Sequence, residues 1–214
     1  MTEKTKLPEN RLRQSNDMQR ILCEAAAEEQ DITEISFVNA VAGDIKSDGI
    51  EVKNCEFDNC RFENCTFHAA YFADVRFRNC DLSNLDFSGT LFRRARFETC
   101  KLLGANLSET ILEQIVMTDC SGKFSNFFTS TLKNTVFKNT DFSEGSFEQC
   151  GFKSVRFENC SLLRAEFLHT PLKGIDFTTS DIGGLILSGP ELQGAIVTAV
   201  QACDLSRYLG LVVK

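Results

Sequence analysis

A five-residue hydrophobic repeat constrains this chain more than any other feature. Stepping by five from Val52 to Val197 meets 29 apolar residues at 30 positions, Gly122 being the exception, where a 43% apolar composition would place about 13. With Phe37 added, 17 of the 19 phenylalanines fall on this series. A second series of small or medium side chains lies two residues earlier, through Cys55, Cys60, Cys65, Ala70, Val75 and Cys80 and onward to Ala165. Side chains alternate across a strand, so two inward positions in each five describe a very short strand followed by a corner. A helix needs apolar spacings of three and four, which the series lacks. The residue closing each five is often Asn or Gly (Asn54, Asn59, Asn79, Gly89, Gly104, Gly174), types that tolerate the positive φ of a tight turn.

The unit is a small residue, a polar residue, Leu or Phe, then two mostly polar residues, and over about residues 32–197 it resembles that of the pentapeptide-repeat proteins. The resemblance implies an all-β solenoid, a right-handed quadrilateral β-helix with four pentapeptides per coil, to which the flanking segments add helical caps at both ends. The implied period is visible in the chain itself. Cys60, Cys80, Cys100 and Cys120 recur every 20 residues, as do Phe37, Phe57, Phe77 and Phe97. At about 4.8 Å per coil, rings and thiols should pile up in separate files along a rod of roughly 36 Å whose packed interior leaves no ligand pocket.

Three segments follow: an N-terminal helical cap over 1–31, the β-helix over 32–197, and a C-terminal helix and tail over 198–214. Asn16 is placed to cap a helix with Gln19 at its third position, and Met18, Ile21, Leu22, Ala25 and Ala26 share one face of a helix over 16–30. Between Asn39 and Glu51 the repeat weakens to Ala42 and Ser47, which predicts an irregular first coil. Thr198 and Gln201 form a capping box for a helix through Leu209 that ends at Gly210. The stretch from Leu192-Gln193-Gly194-Ala195 to Leu211-Val212-Val213 looks like the C-terminal segment of the quinolone-resistance (Qnr-type) branch. That likeness implies a tail-to-tail homodimer, with Leu205, Tyr208, Leu209, Leu211 and Val213 as dimerisation residues. At the break, Phe124 is expected to fold inward and fill the volume missing at Gly122, whereas Phe128 is the candidate for an apolar contact.

Net charge argues against a basic nucleic-acid-binding surface, since 30 acidic side chains outnumber 23 basic ones to give −7. No apolar run reaches the roughly 18 residues of a membrane span, and the N-terminal stretch is too polar for a signal peptide, so a soluble, cytoplasmic protein is expected, and the Qnr-type resemblance implies a bacterial one. Ten cysteines invite a zinc reading, but eight occupy the inward slot and do not converge on one point, so they read as core filling. His68 and His169 share a predicted face but sit about 24 Å apart by coil spacing. Without a concave pocket, a nucleophile–base arrangement or a phosphate loop, no enzyme, metal or cofactor is expected.

Sorting by 20-residue phase isolates one acidic face bearing Asp86, Glu109, Glu148 and Glu166, with no Lys or Arg on it from Cys65 through His169. The next face carries Arg93, Arg94, Lys133, Lys153 and Lys173 against Asp74 and Glu113. Resemblance to the Qnr/MfpA-type branch implies a DNA mimic that binds type II topoisomerase (DNA gyrase or topoisomerase IV) and relieves quinolone inhibition, with the acidic stripe as contact surface and no direct binding of nucleic acid. Residues 51–187 hold 18 acidic and 15 basic side chains, so the imitation would rest on shape and a local stripe rather than bulk charge. The loops that several Qnr-type proteins project have no sign here, because the register never slips between Val52 and Val197. The alternative is a rigid β-helical scaffold for an unidentified protein partner, contacted through Phe128 or the N-terminal helix.

Overall fold

In the computed structural model, which describes residues 12–211, the five-residue steps become the successive walls of a right-handed, four-sided β-helix. The first wall is centred on Val52, the second on Phe57, the third on Phe62 and the fourth on Phe67. Each wall recurs after 20 residues in parallel register, Val52 beside Phe72 and Phe57 beside Phe77. The second wall is an eight-stranded sheet from Arg13–Ser15 to Arg156–Glu158, and the first a seven-stranded sheet from Ile32–Thr33 to Gly151–Lys153. The third and fourth walls begin as strand pairs and continue as single bridges, from Arg61↔Asp81 to Ser161↔Asp181 and from Thr66↔Asp86 to Glu166↔Ile186.

Local chemistry explains why two walls are strands and two are turns. On the turn walls an Asp or Asn often precedes the central residue, and its Oδ1 accepts the N–H two residues on: Asp81 from Ser83 (3.1 Å), Asp86 from Ser88 (2.9 Å), Asp141 from Ser143 (2.9 Å). That side-chain bond mimics a backbone turn. The wall then closes with a bond such as Thr90 N–H to the Phe87 carbonyl (3.1 Å), with Gly89 at φ +67° in the position where a type II turn needs positive φ. Where Ile111, Val116 or Val136 precedes the centre, the wall stays extended. The Asn and Gly corners all carry the anticipated positive φ.

Inside, the rings stack coil on coil: Phe57–Phe77 at 4.8 Å and Phe77–Phe97 at 5.0 Å in one file, Phe127–Phe147 at 4.6 Å and Phe147–Phe167 at 5.1 Å in another. Cys60, Cys80, Cys100 and Cys120 form their own file, each donating to the carbonyl of Phe37, Phe57, Phe77 or Phe97 in the coil below. Eight cysteines are buried, Cys23 and Cys203 are exposed, and all ten are free thiols. Burial pushes Cys55 and Cys160 up to about 11 and Cys150 up to about 12, so these thiols stay protonated and act as small core groups.

Several expectations need correction. The N-terminal helix, α1, spans Met18–Glu28 rather than 16–30, and its cap is Asp17, not Asn16. Gln19 closes no capping box. Its amide instead donates to the Gly43 carbonyl (3.1 Å) and accepts the Gly43 N–H (2.6 Å), pinning the helix across the first coil. Met18, Leu22 and Ala25 are buried, and Leu22 lines the same interior space as Val52, Phe62 and Phe67. Ala42 and Ser47 are therefore small because α1 lies over them, and the first coil is regular: Val41–Gly43 and Lys46–Asp48 pair in full register with the second. A strand absent from the sequence reading, Arg13–Ser15, covers the edge of the second wall by pairing with Ile35–Phe37.

Phe124 does not fold inward. It remains 54% exposed, and the ring of Phe142, one coil on, enters the space at Gly122, where a Cβ would lie 2.7 Å from Phe142 Cε1. At the far end, Thr198 and Gln201 make both bonds of the capping box for α2 (Ala199–Leu205). The chain then tightens into a 3₁₀ turn, Ser206–Leu209, before Gly210 ends it at φ +72°, so the α-helix stops four residues earlier than expected. Beside it, the buried Glu191 receives the N–H groups of His169, Ser188 and Gly189 and the Ser188 hydroxyl. Burial opposes its ionisation, but these bonds outweigh it and hold the carboxyl at about 2.

Candidate partner-binding surface

The coil register sets the fourth wall's outward residues in vertical columns. Asp86 and Glu166 share one column, joined through Asn106, Asn126 and Ser146, four coils or about 19 Å apart. Glu148 stands in the next column and Glu109 at the corner, so the four predicted carboxylates do lie along one side of the rod. Their roles differ. The Asp86 Oδ1 accepts from Ser88 N–H (2.9 Å) and from Asn106 Nδ2 (2.9 Å), which makes it part of the turn scaffold. Glu109, Glu148 and Glu166 make no such side-chain bond among the described residues.

On the other walls several carboxylates are paired with cations in place. On the first and second walls, Arg94 pairs with Asp74 (2.5 Å), Arg76 with Glu98 (2.6 Å), Arg93 with Glu113 (3.7 Å), and Arg78 with Asp58. The Arg78 guanidinium holds the Asp58 carboxyl below the usual carboxylate range. On the third wall Arg61 pairs with Glu63 (2.8 Å) and Lys123 with Asp141 (3.4 Å). None of the ion pairs among the described residues involves Asp86, Glu109, Glu148 or Glu166. The neighbouring first wall carries Lys133, Lys153 and Lys173 in one column, without an ion pair among the described residues, so acidic and basic sides adjoin.

Of the predicted apolar residues, Phe128 is 36% exposed on the fourth wall. Among the proposed dimerisation residues, Leu205 is buried within its own chain, and Tyr208 is half-buried with its hydroxyl donating to the Leu185 carbonyl. Leu211 is 58% exposed and shares an apolar groove with Pro190, Leu192, Val197 and Tyr208. The side chain of Leu209 and the whole of Val213 lie outside the described residues. Two further exposed residues, Ile196 and Val200, flank this end and were not singled out from the sequence. No group of three or more His, Cys, Asp or Glu able to hold a metal occurs among the described residues, and none of the described helices is long and apolar enough to cross a membrane.

These features define a closed rod that presents chemistry only on its outside, with one wall that bears carboxylates and, from Cys65 through His169, no Lys or Arg. The chain belongs to the pentapeptide-repeat family: a model described as "Pentapeptide repeat region" matches residues 50–121 and 90–167, together more than half of its length. Among solved structures it is similar to a trypsin-treated variant of QnrB1, a plasmid-mediated fluoroquinolone resistance protein, at 22% identity and TM-score 0.55, over 86% of this chain and 91% of that one. Full-length QnrB1 matches at 21% identity and TM-score 0.54, over 84% and 92%. HetL, involved in heterocyst differentiation regulation in the cyanobacterium Nostoc sp. strain PCC 7120, matches at 15% identity and TM-score 0.56, over 82% and 97%. At these identities the likeness shows the fold alone. No curated protein sequence is significantly similar to this chain.

Proposed function

We propose that this protein is a non-catalytic DNA mimic whose fourth wall docks on the DNA-binding surface of a type II topoisomerase and protects it from quinolones. The observation that carries the reading is that Glu109, Glu148 and Glu166 stand without an ion pair among the described residues, on a wall of a stiff rod that has no Lys or Arg from Cys65 through His169. Such a wall steers toward a basic saddle and loses little conformational entropy on docking. The likeness to QnrB1, a fluoroquinolone resistance protein, supports the choice of partner.

Purified protein added to a DNA gyrase supercoiling assay containing ciprofloxacin should restore supercoiling at micromolar concentration. The Glu109→Gln, Glu148→Gln, Glu166→Gln triple variant should need at least about tenfold more protein. No rescue by the wild type overturns the reading.

The same reading joins two rods tail to tail through Ile196, Val200 and Leu211, whose exposure beside an apolar groove suits a second copy. In sedimentation velocity the wild type should run as a dimer, and Val200→Glu with Leu211→Glu as a folded monomer. A monomeric wild type overturns that part.

A further inference from the structure

Among the described residues, Phe124 and Phe128 are the two phenylalanines that make no contact with another aromatic ring. They belong to one coil, Phe124 at the corner entering the fourth wall (54% exposed) and Phe128 on that wall (36% exposed). Packing does not explain them, because Phe142 already fills the space at Gly122. Large apolar rings left exposed with no packing role point to a contact made off the rod.

The register supplies the second half of each feature. One coil on, Glu144 stands beside Phe124 and Glu148 beside Phe128, with Phe124 N–H bonded to the Ser143 carbonyl (3.2 Å) and Thr129 N–H to the Glu148 carbonyl (3.0 Å). By backbone spacing, each phenylalanine therefore has a glutamate in the next coil about 4.8 Å along the rod. Neither glutamate joins an ion pair among the described residues. The nearby Lys123 is held by Asp141 (3.4 Å), and Arg164, one coil beyond Glu144, forms no ion pair with it among the described residues.

We propose that Phe124 with Glu144, and Phe128 with Glu148, are two sockets for arginine side chains on a basic partner protein. The inference rests on the docking role of the fourth wall and specifies what that wall recognises. A guanidinium lies flat on an aromatic face while its edge N–H groups reach a carboxylate. A lysine ammonium, compact and strongly hydrated, cannot use both halves equally well. Charge complementarity selects the occupant: a cationic protein surface carrying arginines, not an apolar segment.

The test uses oligoarginine and oligolysine peptides of equal length as probes, titrated into the full-length protein by calorimetry. Wild type should bind oligoarginine about five- to tenfold more tightly. The Phe124→Asn, Phe128→Ser variant should keep its melting temperature and its affinity for oligolysine but lose that preference. Glu144→Gln with Glu148→Gln should weaken both peptides and flatten the salt dependence. Equal affinities in the wild type, or a preference that survives in the phenylalanine variant, overturn the sockets. In the gyrase assay the same phenylalanine variant should lose about tenfold in potency. Undiminished rescue by that variant overturns the sockets and leaves the acidic docking wall standing, whereas an arginine preference without any gyrase rescue overturns the topoisomerase reading and leaves the sockets.

Discussion

On the second wall Asp58 holds Arg78 and Arg76 holds Glu98, each bond reaching from one coil to the next, whereas on the fourth wall Glu109, Glu148 and Glu166 face solvent unpaired. Beneath both walls runs the same file of buried rings, Phe57–Phe77–Phe97 in one and Phe127–Phe147–Phe167 in the other. Where charges are absent between coils, the fourth wall uses neutral amides instead, Asn106 donating to Asp86 (2.9 Å) and Asn126 to Asn106 (3.4 Å). The difference shows that the interior specifies the coil and leaves the outer residues free. Surface ion pairs contribute little to stability in any case. An acidic wall is thus open to selection for recognition without disturbing the fold.

If the two walls share one core, deleting a ring should hurt them alike. Phe97→Ala and Phe147→Ala should each lower stability by about 3–5 kcal/mol in urea unfolding. A gap between them much larger than about 1 kcal/mol breaks the comparison.

The next largest effect concerns the buried acid that closes the fourth wall's last coil. Glu191 has its folded value lowered from 4.5 to about 2, so its stabilisation is complete above pH 4.5 and is lost as pH falls from there toward 2. At about 1.4 kcal/mol per unit this is on the order of 3 kcal/mol. Melting temperature measured against pH should fall through that window in wild type, and Glu191→Gln should remove that part of the decline.

Gly122→Ala should cost about 1–3 kcal/mol, because the added methyl meets the Phe142 ring rather than a void. Thermal melts that show a gain would mean the ring lies elsewhere. The smallest effects separate the two surfaces. Arg78→Ala should cost at most about 1 kcal/mol and less in high salt, while Glu148→Gln and Glu166→Gln should be neutral or slightly stabilising by the same melts. Asp86→Asn should also be neutral, since an amide oxygen can accept the Ser88 N–H in place of the carboxylate.

The coil period was legible because it rests on burial alone: Phe, Leu and Cys at fixed spacing report the inward positions regardless of what the outer residues do. The corners were legible through Asn and Gly, and the start of α2 through Thr198 and Gln201. Arg13–Ser15 was not, since a polar strand added through its backbone leaves no alternation to read. Ala42 and Ser47 looked like a faltering repeat because the volume they lack is supplied by α1, from elsewhere in the chain. The split between strand and turn walls did have a signal, Asp or Asn just before the central residue, and it is the same signal that makes Asp86 a scaffold residue rather than a free charge. Phase arithmetic grouped the acidic residues on one wall. It could not show which were already hydrogen-bonded, nor that Phe142 rather than Phe124 would occupy the gap at Gly122.

A rod built in quarter-turn steps responds to insertions and deletions by rotation. Removing one pentapeptide keeps every later ring facing inward, yet swings all downstream side chains onto the adjoining side, so a continuous negative band would split into two short pieces at right angles. Removing four pentapeptides merely shortens the band by one storey. Mutational drift in length is therefore sorted by arithmetic: most changes wreck the core, multiples of five spare it but scramble the outside, and multiples of twenty preserve both.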